Sequence, residues 1–275
     1  MNVKKYSGDL ELFKPESLKN SLIKSGASPK QVEAVYNHIL EIIYDGIPTV
    51  KLYQYAFDFL KKERNSFAAR YSLKKALRDL GPNGFYFEKW VCHLFSYLGF
   101  ETTNNLTLQG HAVTHEIDVL ASINNTLHII ECKLRNDVDA KISVTTPMYF
   151  LSRWKDVSQK TFHYFGKDMD VTQGWLVTNA YLTKDSIAFG EHYGIQLLAW
   201  DYPENRSLKN LVDLGAVYPI TCLTTISDQQ KVQLLDANCV LVKDILTRKE
   251  LLQKVIKSSD KIEEIIQEAV ELTSA

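Results

Sequence analysis

The hydrophobic period of this chain changes near residue 84 and changes back near residue 220. Before residue 84, apolar residues recur three and four apart, which is the spacing of a helix face. Leu18, Leu22 and Ile23 follow Pro15 and run toward Gly26; Val32, Val35, Ile39, Ile42 and Ile43 follow Ser28-Pro29 and stop at Asp45-Gly46. Proline at a first helical position, with serine before it, marks a helix start. Thr49 is expected to cap a third helix carrying Leu52, Tyr53, Ala56, Phe57 and Leu60. A fourth is expected over about 66–80, ended by Gly81-Pro82, and the alternating Val3 to Phe13 predicts a hairpin around Ser7-Gly8-Asp9.

Between the two changes of period the pattern is mixed. A helix over 85–98 ends at Gly99, and runs rich in β-branched residues follow at 113–121, 126–134, 173–179 and 194–200. Helical stretches are expected over about 144–165 and 184–193. Strands alternating with helices predict an α/β arrangement. After residue 220 the helical spacing returns, with breaks at 237–239 and 257–259. The expected organisation is a multi-domain α/β protein. It has a hairpin-plus-helix domain at 1–83, an α/β domain with a mixed sheet at 84–219, and a small helical bundle at 220–275.

Charge follows the same division. Residues 1–83 carry 14 Lys+Arg against 9 Asp+Glu, residues 84–220 carry 11 against 15, and residues 221–275 carry 7 against 9. A phosphate-rich partner is drawn to the first segment, yet a net charge of −1 excludes a constitutive nucleic-acid coat. Cys92, Cys132, Cys222 and Cys239 stand far apart, which fits neither a zinc site nor a disulfide framework. No apolar run approaches the roughly 18–20 residues of a membrane helix, and the charged start is unlike a signal peptide, so a cytoplasmic location is expected.

The residues most suggestive of chemistry lie in the middle segment. In the strand Leu127-His128-Ile129-Ile130-Glu131-Cys132-Lys133, alternation puts Glu131 and Lys133 on one face at the strand's end. Asp118 stands among apolar neighbours on the preceding strand and can meet Glu131 if the two form a hairpin. Aspartate is depleted in strands and rarely buried unpaired. Glu88 shares a helix stripe with Val91, Cys92 and Phe95, so it should face the sheet. Three carboxylates in one cleft can hold Mg2+ or Mn2+. Such an ion generates hydroxide near neutral pH, and Lys133 would orient or deprotonate the water and offset developing charge. Each feature alone has a plainer account, since an isolated Glu-x-Lys is usually a solvated ion pair. His111 and His115, with Glu116, do not have the order of a zinc protease and are expected to be structural or DNA-contacting.

In this order the motifs resemble the Mrr-like branch of the PD-(D/E)xK nucleases. The matching runs are Gly84-Phe85-Tyr86-Phe87-Glu88, then Glu116-Ile117-Asp118-Val119, then Glu131-Cys132-Lys133, and later Gly174-Trp175-Leu176-Val177-Thr178-Asn179. The resemblance implies a restriction-endonuclease-like α/β/α fold and metal-dependent hydrolysis of DNA. It further implies Asp118 and Glu131 as metal ligands, Glu88 as the supporting helix acid, and Lys133 as base or stabiliser. Members often carry Gln where Glu131 stands. The first segment is similar to an ATP-cone domain through Val3-Lys4-Lys5, Gly8, Glu11 and Phe13. It continues through Ser21-Leu22-Ile23-Lys24-Ser25-Gly26-Ala27, Gly46-Ile47-Pro48-Thr49 and Ala69-Arg70-Tyr71. That likeness implies ATP or dATP as an allosteric ligand touching Val3, Lys4, Lys5, Glu11 and Thr49, and a homo-oligomer, dimer or tetramer. Ser17 stands where many cones carry a cation, with Lys14 or Lys19 as the available substitute. The last segment, from Leu234-Leu235 to Glu268-Ala269, faintly resembles helix-hairpin-helix bundles, with Asn238 and Ser258-Ser259 at the turns. Together these point to a nucleotide-regulated endonuclease in restriction or repair. The alternative is a nucleotide-sensing DNA-binding regulator with an inert nuclease fold.

Overall fold

The computed structural model describes residues 1–5, 8–24, 27–82 and 84–274, the side chain of Lys24 excepted. The turn residue expected at Ser7, the helix end expected at Gly26, and Ser25 and Asn83 lie outside the described residues. The chain opens with β1 (Asn2–Lys4) and β2 (Leu10–Leu12), an antiparallel hairpin, followed by α1 (Pro15–Lys24) and α2 (Pro29–Ile42). Ser28 caps α2 as its sequence requires: its side chain accepts the Gln31 N–H, and the Gln31 side chain accepts the Ser28 N–H. β3 (Ile47–Pro48) pairs parallel with β1, and α3 (Thr49–Glu63) starts directly after it. Pro48, not Thr49, is the cap position, and no side chain caps this helix. The fourth expected helix is two, α4 (Asn65–Tyr71) and α5 (Leu73–Arg78), interrupted at Ser72.

Next come α6 (Phe85–Tyr97), β4 (Glu101–Gln109), β5 (Thr114–Ile123) and β6 (Thr126–Lys133). These three strands form an antiparallel meander, and the two-residue turn Asn124-Asn125 has both residues at positive φ. That is the backbone a tight hairpin needs, and asparagine tolerates it. β7 (Lys141–Ile142) precedes α7 (Thr145–Val157), after which the chain forms a hairpin of β8 (Thr161–Tyr164) and β9 (Lys167–Thr178). The helix expected over 144–165 therefore ends earlier; Gln159 at positive φ follows it, and Thr161 to Tyr164 is strand. β10 (Tyr181–Leu182) pairs with β7, then α8 (Lys184–Tyr193) leads to β11 (Gln196–Leu198) and α9 (Leu208–Gly215). The last elements are α10 (Asp228–Asp236), α11 (Asp244–Thr247), α12 (Glu250–Val255) and α13 (Ser259–Thr273).

The central sheet has strand order β11-β9-β6-β5-β4, with β8 paired to β9. β6, β9 and β11 run parallel, joined by crossovers that contain α7 and α8, as parallel neighbours demand. The sheet is thus mixed, and the chain is a multi-domain α/β protein. α6 and α7 lie on opposite faces: Phe95 of α6 meets Trp175 edge-on at 5.1 Å, whereas a Cβ on Gly174 would stand 2.7 Å from the Trp154 ring of α7. Among the described residues no helix is long and apolar enough to cross a membrane.

The chain divides into two units, residues 75–219 and residues 1–74 with 220–275. In the second of these, Lys61 Nζ donates to the Thr224 carbonyl at 2.9 Å and Ser66 Oγ donates to Glu271 at 3.1 Å. Its tightest polar knot is Glu268 on α13, 1% exposed. The carboxylate accepts the N–H and hydroxyl of both Thr224 and Thr225 at 2.5–3.0 Å. Removing it leaves buried donors unpaired. Glu268→Ala should therefore cost about 3 kcal/mol, read as a lower denaturant midpoint, whereas Glu268→Gln should cost less.

Candidate functional site

Strand pairing between β5 and β6 runs from Ile123 and Thr126 to Val119 and Ile130, and stops there. One step further, the register sets Asp118 opposite Glu131. Here the Cys132 N–H is bonded to the Asp118 Oδ2 at 2.7 Å. A side-chain carboxylate thus does the work of a ladder carbonyl, while β6 continues beside β9 as far as Lys133 and Thr178. The end of the sheet opens between the two strands.

Glu131 is 3% exposed, and both its oxygens are engaged. Oε1 pairs with Lys133 Nζ at 2.5 Å, and Oε2 pairs with Arg153 Nη1 at 2.5 Å. Residues i and i+2 on a strand project together, which explains the first pair. Arg153 comes from α7, on the stripe of Phe150, Leu151 and Val157 that packs against the sheet. Sequence reasoning did not single it out. The signal was present, because a charged residue on a buried helix stripe requires a partner.

Glu88, in the first turn of α6, is only partly buried, although Val91 and Phe95 of its stripe are fully so. Its carboxyl is pushed up to about 7, first by burial and then by Asp118, Glu116 and Glu131, with Lys133 opposing. Asp118 is pushed up to about 6 by burial and by Glu131, against the Cys132 N–H, Lys133 and Arg153. Glu88, Asp118, Glu131 and Lys133 thus lie within one another's fields. Their hard oxygens suit a divalent cation, but among the described residues no three His, Cys, Asp or Glu side chains are grouped closely enough to hold one.

The chain leaving β6 is clamped. Thr178 Oγ1 donates to the Lys133 carbonyl at 2.6 Å, and the Asn179 amide exchanges two hydrogen bonds with the Arg135 backbone, both at 2.8 Å. This contact of Asn179 with the chain after β6 was not read from the sequence. His115 pairs with Asp156 at 2.7 Å, and His111 bonds to the Ser158 carbonyl at 3.2 Å.

A second constellation lies in the N-terminal segment. A cavity of about 300 Å3 is lined by Val3, Lys5, Glu11, Thr49, Lys14 and Ser17, with Tyr53 and Tyr71 among its other walls. Lys4 is exposed and does not line it. Lys5 pairs with Glu11 at 3.3 Å. Tyr53 and Tyr71 stack at 5.0 Å, and burial pushes the Tyr71 hydroxyl up to about 12, against a hydrogen bond with Ser21. Of the two candidate lysines Lys14 lines the cavity, whereas Lys19 pairs with Glu33 at 2.6 Å and lies over the Tyr36 ring.

The AF1548-like, C-terminal family matches residues 218–273. An uncharacterized protein of Archaeoglobus fulgidus is 32% identical over 180 residues, covering 65% of this chain and 97% of that relative. The chain belongs to the AF1548-like family. About a third of this AF1548-like chain has no counterpart in that relative. The crystal structure of AF1548, a protein of unknown function, is similar to it at 30% identity and a TM-score of 0.56, over 70% of this chain and 99% of that one. Can2 from Sulfobacillus thermosulfidooxidans, solved in complex with cyclic tetra-adenylate, overlaps 47% of this chain and 35% of its own at 23% identity and a TM-score of 0.34.

The raised carboxyls have a measurable consequence. With folded values of about 7 and about 6 against ordinary values of 4.5 and 3.8, Glu88 and Asp118 bind protons more tightly in the folded chain than in the unfolded one. Without divalent ions, their contribution to stability is therefore lost as pH rises from about 4 through about 7. Melting temperature should fall over that window, and Glu88→Gln should flatten the fall. An unchanged slope in the variant counts against the coupled cluster.

Proposed function

We propose that residues 75–219 form a divalent-metal-dependent DNA endonuclease of the Mrr-like PD-(D/E)xK kind. We further propose that ATP or dATP binds the N-terminal cavity and regulates it. One observation carries the first part: a helix acid, a strand acid and a strand Glu-x-Lys lie within one another's fields where strand pairing ends. In that arrangement Asp118 and Glu131, aided by Glu88, are the ligands for Mg2+ or Mn2+. A bound ion would make an attacking water more acidic and offset charge on the phosphodiester. Lys133, the more exposed of the two cations at Glu131, holds the attacking water and offsets charge on the phosphorane-like transition state. Thr178 and Asn179 keep the Lys133 backbone in place.

The nucleotide reading rests on four residues of the ATP-cone pattern, Val3, Lys5, Glu11 and Thr49, lining one cavity. Lys14 and the start of α3 add positive potential for phosphates. A homo-oligomer, dimer or tetramer, is the expected form through which nucleotide acts. For any such effect nucleotide must favour one state over another. A second reading, a nucleotide-sensing DNA-binding regulator with an inert nuclease fold, draws on the closed Glu131 pairing, in which cations already take both oxygens.

Nicking of supercoiled plasmid in Mg2+, with and without ATP and dATP, separates the two. Asp118→Ala and Glu131→Gln should each abolish nicking while the protein still melts cooperatively. Lys133→Met should lower turnover by at least about 100-fold and leave DNA affinity within a few-fold. Retained Mg2+-dependent nicking in either carboxylate variant rules out the site. Calorimetry with ATP tests the cavity: Lys5→Ala should weaken binding several-fold, and no binding by wild type at millimolar ATP removes the regulatory part.

A further inference from the structure

Glu131 is proposed above as a metal ligand, yet each of its oxygens is already held by a cation. Lys133 holds one and Arg153 the other, both at 2.5 Å, around a side chain only 3% exposed. The two cations are not equivalent. Lys133 sits two residues along the same strand and follows Glu131 wherever the strand goes. Arg153 arrives from α7, across the crossover, and its side chain is 13% exposed rather than sealed. Its guanidinium also lies 5.8 Å from the centre of the Tyr149 ring, and Tyr149 is 64% exposed. One turn of α7 therefore places a solvent-facing aromatic beside a guanidinium that is occupied with a buried acid.

A divalent ion on Glu131 with Arg153 still in place would set two cations against one carboxylate oxygen. A second lone pair remains on that oxygen, but the repulsion between ion and guanidinium across it favours the guanidinium's release. A displaced Arg153 needs an anion, because a cation left unpaired beside the sheet is costly. The anion that arrives with the metal at such a site is the phosphodiester of the substrate. Arginine suits it better than lysine does, since its planar fork matches two phosphate oxygens at once.

We infer that Arg153 is a substrate phosphate-binding residue that holds Glu131 closed until metal and a phosphodiester anion arrive, then exchanges the carboxylate for the phosphate. The inference rests on the metal-dependent nuclease reading and adds to it a residue outside the motif.

The test reads metal and DNA binding as well as cleavage. Mn2+ is titrated by calorimetry or electron paramagnetic resonance into wild type, Arg153→Met and Arg153→Lys, without DNA. In Arg153→Met, Mn2+ should bind tighter by on the order of 10-fold, the scale on which a partner of a metal ligand moves metal affinity. Affinity for a short duplex in Ca2+ should fall several-fold in the same variant, and Mg2+-dependent nicking should fall with it. Arg153→Lys keeps a cation against buried Glu131 and so protects folding if the methionine variant does not fold. Its looser single point charge should still tighten Mn2+, by less, and should not restore DNA affinity. A purely structural Arg153 would lower melting temperature and leave Mn2+ affinity where it was or weaken it. That outcome, in variants of a wild type that binds Mn2+ and nicks DNA, overturns the exchange alone. A wild type that neither binds Mn2+ nor nicks DNA overturns both the exchange and the nuclease reading beneath it.

Discussion

A carboxylate that is almost out of water dictates where the elements around it can go. Burying Glu131 costs several kcal/mol unless its charge is met at close range. Lys133 meets one oxygen from the same strand, at no cost in topology. The other oxygen requires Arg153, and that fixes the second half of α7 over the end of β6. The helix can lie so close because Gly174, on the neighbouring strand β9, has no side chain to collide with Trp154 and Phe150. The β6–α7–β9 crossover is thus held on one side by an ion pair and on the other by a missing Cβ. Substitution of either would push the helix off the sheet, and the candidate site would lose a wall.

Asp118 has a similar double role. Its carboxylate replaces a backbone acceptor for the Cys132 N–H, so the strand ladder ends in a side chain. An apolar residue here would leave that N–H unpaired. The arrangement keeps a titratable group at the sheet's end, where burial first and like charges second push it and Glu88 up. Such pairs of acids held above their ordinary range are a functional signature when they lie in a cleft beside a lysine. They are a poor investment for stability alone, because an amide in place of either acid would remove the repulsion.

Much of this was legible from local rules. Alternation identified β5 and β6; the Asn124-Asn125 turn that joins them in the structure sets a register that brings Asp118 opposite Glu131. A charged residue on an apolar helix stripe identified Glu88. The same rule applied to α7 identifies Arg153, flanked by Phe150 and Val157, but its partner lies 22 residues away and no local pattern names it. β4 escaped because Thr102, Thr103, Asn104 and Asn105 carry no apolar alternation. Its position at the edge of the sheet tolerates polar side chains on both faces. β8 escaped because Phe162 and Tyr164 extend the spacing of the preceding helix. The positive φ of Phe165 and Gly166 in the following turn separates strand from helix there. Thr49 has the residue type of a cap, yet it stands one position inside the helix.

The N-terminal cavity depends on a pairing that sequence periodicity does not contain. The hairpin register puts Val3 opposite Glu11. Thr49 joins them only because β3 lies parallel to β1, with Ile47 beside Val3, and delivers the start of α3 to the same place. Which lysine serves this cavity is then settled by competition. Lys19 is taken by Glu33 and the Tyr36 ring, so Lys14 remains to face the opening. The same competition governs the other site, with the opposite sign. At Glu131 the anion is the contested group, and Lys133 and Arg153 each hold one of its oxygens. In both places proximity alone does not assign a charged residue its role. The assignment follows from the partner that already holds it and from how tightly that partner is held.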